Sequence, residues 1–284
     1  MPRLHSLLKF VTVSHKVIEL KVAMSSTQLR ILTYNIHKGF SAGNRRFILH
    51  RLREALLESN ADILLLQEMQ GEHRHYEQKH EEWPDCSHSE FLAQDEWPHI
   101  AYAENARYSL GHHGNAILSR FPFISWENIN VSPVSWASRS LLHGVIHIPG
   151  LNDGLHIICI HLGLMSAERR KQFDILCQRV EEHVPRDAPL IVAGDFNDWT
   201  QQAEKLFSQR FELKEAYQTL HKRHARTWPA WLPILKMDRI YYHGIEPSFC
   251  ERLDQGIWQR LSDHAPLIAT FELDSRNNSL LAAG

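Results

Sequence analysis

The sequence predicts a layered α/β fold built on mixed β-sheets. Three observations lead there. Short runs rich in Leu, Ile and Val recur along the chain and stop at Gly, Pro or polar residues, as buried strands do. Segments with apolar residues every three or four positions separate some of these runs, as crossover helices do. A turn signal, GLNDG at Gly150–Gly154, joins two runs directly, so hairpins occur beside crossovers. Strands and helices mixed in this way, with hairpins as well as crossovers, favour a layered fold with largely mixed sheets.

Taken in order, residues 1–24 are basic, and their apolar run is cut by His15, Lys16, Glu19 and Lys21. That makes a poor secretory signal. Met24 stands just before the polar SSTQ, so 1–24 are expected to be an appendage or a mis-called start, and 25–274 a single domain. LRILTYNIHKG (Leu29–Gly39) reads as a strand that leaves into a polar loop. Arg45–Ser59 sets Phe47, Ile48, Leu52, Ala55 and Leu56 at helical spacing. ADILLLQE (Ala61–Glu68) is a second buried strand ending in polar groups. Residues 70–98 have weak periodicity and read as a long loop with a short helix. Strands follow at Asn115–Ser119, Leu141–Ile148 and Leu155–Leu162. Ser166–His183 reads as a helix with Ser166 as N-cap and Glu168 in its first turn. In PLIVAGDFNDW the strand Leu190–Ala193 is broken by Gly194; Asp195, Asn197 and Asp198 follow. Asp198 is placed to cap a helix near Gln201–Arg210. Strands at Met237–Tyr242 and Pro266–Leu273 close the domain, and 275–284 are expected to fray.

The bulk numbers bound the function. At 284 residues, 43% hydrophobic and 23% charged, the chain has a globular composition. Its formal net charge of −2 lacks the basic excess of proteins that grip DNA non-specifically. Cys86, Cys159, Cys177 and Cys250 form no CxxC pair and read as free thiols of a reducing compartment. No apolar stretch reaches the length of a membrane span. A cytoplasmic monomer is expected, with a peripheral contact at the membrane as an option.

Chemistry-bearing residues collect at the strand ends. The first strand ends in Asn35, the second in Glu68, the strand at Leu155 in His161, and the Leu190 strand in Asp195 and Asn197. Asp238 opens the Met237 strand, and Ser262–Asp263–His264 precede the last. Singly, each has a plain structural explanation as a turn residue, an exposed acid or a satisfied histidine. Jointly they do not, because acids at the margin of a core are costly unless paired or metal-bound. Carboxylate and amide oxygens suit a hard divalent cation, magnesium or manganese. Histidines beside acids can hydrogen-bond or protonate a phosphate. With no serine or cysteine nucleophile motif, the set points to metal-assisted attack by water.

TYNIHKG, LLLQE, GNAILSR, HLG, GDFND, MDRIY and LSDHAPL occur in that order over roughly Leu29 to Leu273. The ordered set resembles the endonuclease/exonuclease/phosphatase superfamily, the deoxyribonuclease-I-like fold. The resemblance implies a two-sheet β-sandwich flanked by helices, four layers in the order α/β/β/α, with the site at one edge of the sheets. It implies that Asn35, Glu68 and Asp263 hold the metal, Glu68 being the main ligand. Asp195 would orient or deprotonate the attacking water, and Asn197 would bond the phosphate and the nucleophile. His264 and His161 would face the phosphate, Asp238 would fix the tautomer of a site histidine, and Arg139 would meet substrate phosphate. His37 stands where some relatives carry a further acid, which argues against a second metal site.

The ester is less legible. RTWPAWLPILK (Arg226–Lys236) either packs Trp228 and Trp231 under a loop or offers them to a substrate or lipid surface beside Asp238. GHHGN (Gly111–Asn115) either brings His112 or His113 to the phosphate or makes a turn. The reading is therefore a metal-dependent phosphodiesterase or phosphoesterase acting on a phospholipid or small phosphate ester. The alternatives are a DNA endonuclease or exonuclease of the same superfamily and a non-catalytic binding module on its fold.

Overall fold

A computed structural model describes residues 27–132 and 139–273. In chain order the elements are β1 (Thr27–Asn35), α1 (Leu49–Glu58), β2 (Ile63–His73), α2 (Arg74–Lys79), α3 (His88–Ala93), β3 (His99–Tyr108), β4 (Gly111–Ser119), β5 (Phe123–Asn130), β6 (Ser140–Ile146), β7 (Leu155–His161), α4 (Ser166–His183), β8 (Leu190–Asp195), α5 (Gln202–Arg210), β9 (Lys214–Glu215), α6 (Ala216–His221), β10 (Asp238–His243), β11 (Glu246–Arg252) and β12 (Leu267–Leu273). The expected appendage (1–24) and frayed tail (275–284) lie outside the described residues.

The strands form two six-stranded sheets, ordered β11-β12-β1-β2-β4-β3 and β5-β6-β7-β8-β10-β9. Both are mixed. β1 runs parallel to β2, and β7 parallel to β8, while β12, β10 and the other neighbours are antiparallel. Alternation along the central strands explains the stacking. Leu29 and Ile31 of β1, Ile63 and Leu65 of β2, Ile157 and Cys159 of β7, Ile191 and Ala193 of β8 and Ile240 of β10 all enter one core between the sheets. The residues between them face outward. Leu32, Leu64 and Leu66 meet Leu49, Leu52 and Leu56 of α1 and Leu92 of α3. Ile158, Ile160 and Val192 meet Phe173, Leu176 and Cys177 of α4 and Phe207 of α5. The order of layers is helix, sheet, sheet, helix. Strands buried on both faces read as continuous apolar runs, which is why they were legible in the sequence.

The structure corrects several elements. Residues 70–98 are not a long loop: β2 continues to His73, and α2 and α3 follow. β3, β5, β9 and β11 were not foreseen, and all four are sheet edges. β5 is exposed along most of its length, so no alternation marks it. α4 begins at Ser166, but Met165 takes the N-cap position and no side chain caps the helix. Asp198 behaves as expected: it accepts the Ala203 N–H at 2.8 Å in the first turn of α5, although Gln201 is the N-cap residue.

Candidate active site

The predicted site residues extend the inward register of the sandwich core. Asn35 follows Leu29 and Ile31 at even spacing, His161 follows Ile157 and Cys159, Asp195 follows Ile191 and Ala193, and Asp238 precedes Ile240. Each strand therefore ends its inward-facing row in a polar group at one edge of the sandwich. Strand pairing lines them up: His161 lies opposite Asp195, and Asp195 opposite Asp238. Gly194, one step inside, is required there. A Cβ on it would lie 2.0 Å from the Ile160 carbonyl oxygen, and its φ is +145°. Only glycine lets β7 and β8 approach closely enough to hold this register.

Glu68 arrives by a different route. By parity with Leu64 and Leu66 it belongs on the outer face. Between Leu66 and Met69 the pairing with β4 advances from Ala116 only to Gly114, so β2 carries one extra residue. Glu68 also takes a left-handed φ of +53°. This bulge turns Glu68 inward beside Gln67, while Met69 rejoins the outer core. Glu68 thus sits in mid-strand and not, as the sequence suggested, at a strand end.

The polar groups form one network. His264 Nδ1–H donates to Asp238 Oδ2 at 2.9 Å, and His264 Nε2 lies 3.7 Å from Asp195 Oδ2. His161 Nε2 stands 3.5 Å from the same oxygen, and Asn35 Nδ2 donates to it at 3.2 Å. The Asn197 backbone N–H donates to Asp195 Oδ1 at 2.9 Å. One side-chain N–H of Asn197 goes to the Leu162 carbonyl, which leaves its other N–H and its Oδ1 for a ligand. Burial pushes the Asp195 carboxyl up, to about 6, although His264 pulls the other way. For His264 burial favours the neutral ring, but the charges of Asp238 and Asp195 outweigh it and raise the imidazole to about 10. Burial, helped by Arg139, holds His161 well below its ordinary value, so it is neutral.

Next to this network lies a niche of hard oxygens. Asp263 Oδ1 and Glu68 Oε2 flank His37 Nδ1 at 3.4 and 3.8 Å. Lys38 Nζ is 3.4 Å from Glu68 Oε2, an oxygen that is buried and makes no hydrogen bond. Burial favours the protonated Glu68, but His161, Lys38 and His37 outweigh it and bring the carboxyl down to about 2. Of these only Lys38 is cationic whatever the histidines do. Asn35 Oδ1 accepts the His37 N–H at 3.2 Å and keeps a second lone pair. Two carboxylates and an amide oxygen, one of them buried and unbonded, fit a hard divalent cation. Ligand-type atoms of Asp195, Asp238 and His264 also lie within 4.8 Å of one another. His264 is already hydrogen-bonded to Asp238 and 3.7 Å from Asp195, and its protonated imidazole cannot ligate, so the Glu68 niche fits a cation better.

For several residues near the site the sequence left two readings open or gave only a family role. His113 continues the inward row of Asn115 and Ile117 on β4, and its Nδ1 is buried with no hydrogen bond. Burial and the neighbouring Lys38 lower it to about 4, and Glu68 and Arg139 are also close enough to act on it. His112 points elsewhere, to the Tyr102 hydroxyl. The alternation through GHHGN held this distinction, but only once the strand was known. Arg139 is half-buried and near enough for its charge to act on both His161 and His113. The two tryptophans of the 226–236 loop separate. Trp228 donates from Nε1 to Asp263 Oδ2 at 3.3 Å, whereas Trp231 stands exposed.

Residues 32–264 match the family model described as the Endonuclease/Exonuclease/phosphatase family. The chain belongs to the endonuclease/exonuclease/phosphatase family. Members of this family hydrolyse phosphoester bonds and typically depend on a divalent metal. The chain is 45% identical over 244 residues to the uncharacterized protein YbhP of Escherichia coli strain K12, covering 86% of this chain and 96% of that protein. Among solved structures, an endonuclease/exonuclease/phosphatase from Beutenbergia cavernae superposes with a TM-score of 0.70 at 17% identity, over 86% of this chain and 71% of its own. Danio rerio TDP2 complexed with a single-strand DNA product superposes with a TM-score of 0.61 at 20% identity, over 87% and 100%. At these identities the family likeness in three dimensions is one of fold.

Proposed function

We propose that the chain is a divalent-metal-dependent phosphodiesterase that cleaves a phospholipid or small phosphate ester by in-line attack of water. The observation that carries this reading is the convergence of Asp195, Asn197, His161 and the Asp238–His264 pair on one edge, beside the Glu68–Asp263 niche. Glu68, Asp263 and Asn35 would hold the metal, which when bound supplies Lewis-acid neutralisation of phosphate charge. The remaining work belongs to the chain. Asp195 is held by Asn35 and Asn197 and is ionised just below neutrality, so it can align the water and take its proton. His264, kept cationic and oriented by Asp238, offers an Nε2–H to a phosphate oxygen. Neutral His161 and the free amide N–H of Asn197 add donors, and Arg139 and Lys38 add positive charge.

The test is a substrate panel of bis(p-nitrophenyl) phosphate, phospholipid, inositol phosphate and DNA, with magnesium or manganese and with EDTA. Hydrolysis abolished by EDTA and reduced at least about 100-fold by Asp195→Asn and by His264→Ala is expected. Preferred cleavage of DNA would move the assignment to a nuclease. No EDTA-sensitive hydrolysis of any member would leave a binding module and end the enzyme reading.

A further inference from the structure

Six of the twelve large apolar side chains that stand exposed among the described residues surround the site: Leu164, Met165, Trp199, Trp231, Leu232 and Ile234. They sit on three loops that leave neighbouring strands of one sheet. Residues 162–165 follow His161 at the end of β7, residues 196–201 follow Asp195 at the end of β8, and residues 227–237 lead into Asp238 at the start of β10. β7, β8 and β10 are adjacent, so all three loops emerge at one edge.

Two buried arginines join these loops into a continuous rim. Arg169 donates to the carbonyls of Gly163 and Leu164 and lies 5.0 Å from the Trp199 ring, tying the first loop to the second. Arg239 donates to the Asp198 carbonyl, and the Phe196 N–H to the Met237 carbonyl, tying the second to the third. The outermost side chains are well clear of any core: Met165 is 72% exposed, Trp231 67% and Leu164 61%. A monomer gains nothing by holding such groups in water, and an apolar patch rimmed by polar residues marks a docking surface. The exposed charges beside it are basic. In residues 162–171, 196–201 and 226–236 the exposed charged side chains are Arg170, Lys171 and Arg226, whereas Glu168 and Lys236 are half-buried and Arg169 and Asp198 are buried. Aromatic and aliphatic tips with a basic surround are the pattern of a protein that lies on an anionic lipid surface.

We infer that this rim docks the site face onto an anionic phospholipid membrane, with Trp231, Leu232, Leu164 and Met165 entering the interface and the basic side chains meeting headgroups. This deepens the phosphodiesterase reading, because it sets the catalytic edge against an ester-bearing surface. Binding itself requires no turnover, so the two claims fail separately.

The full-length protein, without added metal, is sedimented with vesicles of phosphatidylcholine alone and with vesicles that also contain phosphatidylglycerol. The expected result is selective partitioning onto the anionic vesicles, weakened about tenfold or more in Trp231→Ser/Leu232→Ser and again in Leu164→Ser/Met165→Ser. Unchanged melting of both variants and unchanged hydrolysis of a soluble diester would show that the fold and the chemistry are intact. Equal partitioning onto both vesicle types, no partitioning, or variants that partition like the parent would overturn the inference. So would a concentration-dependent dimer abolished by the same substitutions, since a second copy would then be what covers the rim. If vesicle binding succeeds while no diester is cleaved, the docking surface stands and the catalytic reading falls.

Discussion

At the scale of single residues, the site works by opposed environments for similar groups. His161 and His264 approach the same Asp195 oxygen, at 3.5 and 3.7 Å, yet burial leaves one neutral while Asp238 keeps the other cationic. Asp195 is raised to about 6 by burial, whereas Glu68 is brought down by the histidines and Lys38 beside it. That separation suits a base and a metal ligand respectively. It also sets a pH profile. With metal saturating, hydrolysis of a soluble diester is expected to rise as pH passes about 6, where Asp195 loses its proton, and to decline towards about 10, where His264 loses its own. Asp238→Asn removes the charge that sustains the His264 imidazolium, so its descending limb is expected to move towards neutrality. Steady-state rates across pH check both limbs; a profile in Asp238→Asn superimposable on the parent's would contradict the pairing.

At the scale of elements, two local departures from regularity build the oxygen niche proposed to hold the metal. The β2 bulge delivers Glu68 to the inner face. The 227–237 segment supports Asp263, through the Trp228 Nε1–H to its carboxylate and the Ala230 N–H to its carbonyl at 2.8 Å. Partners of this kind orient a ligand without touching the ion. Trp228→Phe keeps an aromatic side chain and deletes the donor, so it is expected to weaken metal binding about tenfold, with kcat at saturating metal little changed. Metal titration of the rate, with calorimetry on the inactive Asp195→Asn background, reads the effect. An unaltered half-saturation concentration would assign Trp228 to packing alone.

At the scale of the whole molecule, the abundance of histidine becomes a matter of stability. Burial lowers His88 and His143 to about 3 and His113 to about 4, and holds His161 well below its ordinary value. Above the ordinary histidine value neither the folded nor the unfolded chain protonates these rings. Below it the unfolded chain takes up protons that the folded chain refuses, so stability falls with pH, by up to about 1.4 kcal/mol per pH unit for each ring. Asp195, raised to about 6, works the other way and offsets about one ring's share, while His264 loses its stabilising share as pH rises from the ordinary histidine value towards about 10. The melting temperature of metal-free protein is therefore expected to drop steeply between about pH 7 and about pH 5, more steeply than the carboxylates alone would cause. His88 lies in α3 with neither ring nitrogen hydrogen-bonded, so His88→Phe is expected to flatten that drop. A parent melting temperature that stays level over the interval would refute the account.

How much was legible follows from burial. The eight interior strands announced themselves because both faces are covered, and the same continuity marked where each run gave way to Asn35, His161, Asp195 or Asp238. The four edge strands did not, because solvent on one side removes the apolar signal that a reader of sequence relies on. The resemblance implied that Asp238 pairs with a histidine of the site, and the geometry makes that histidine His264, at 2.9 Å. What the linear chain could not express was anything that depends on a register. The bulge that turns Glu68 inward, the row that selects His113 over His112, and the split between Trp228 at Asp263 and Trp231 in solvent all arise from it. A side chain's direction in a strand reverses with every residue, so one inserted position or one pairing decides which face it serves, and only the folded sheets supply that count.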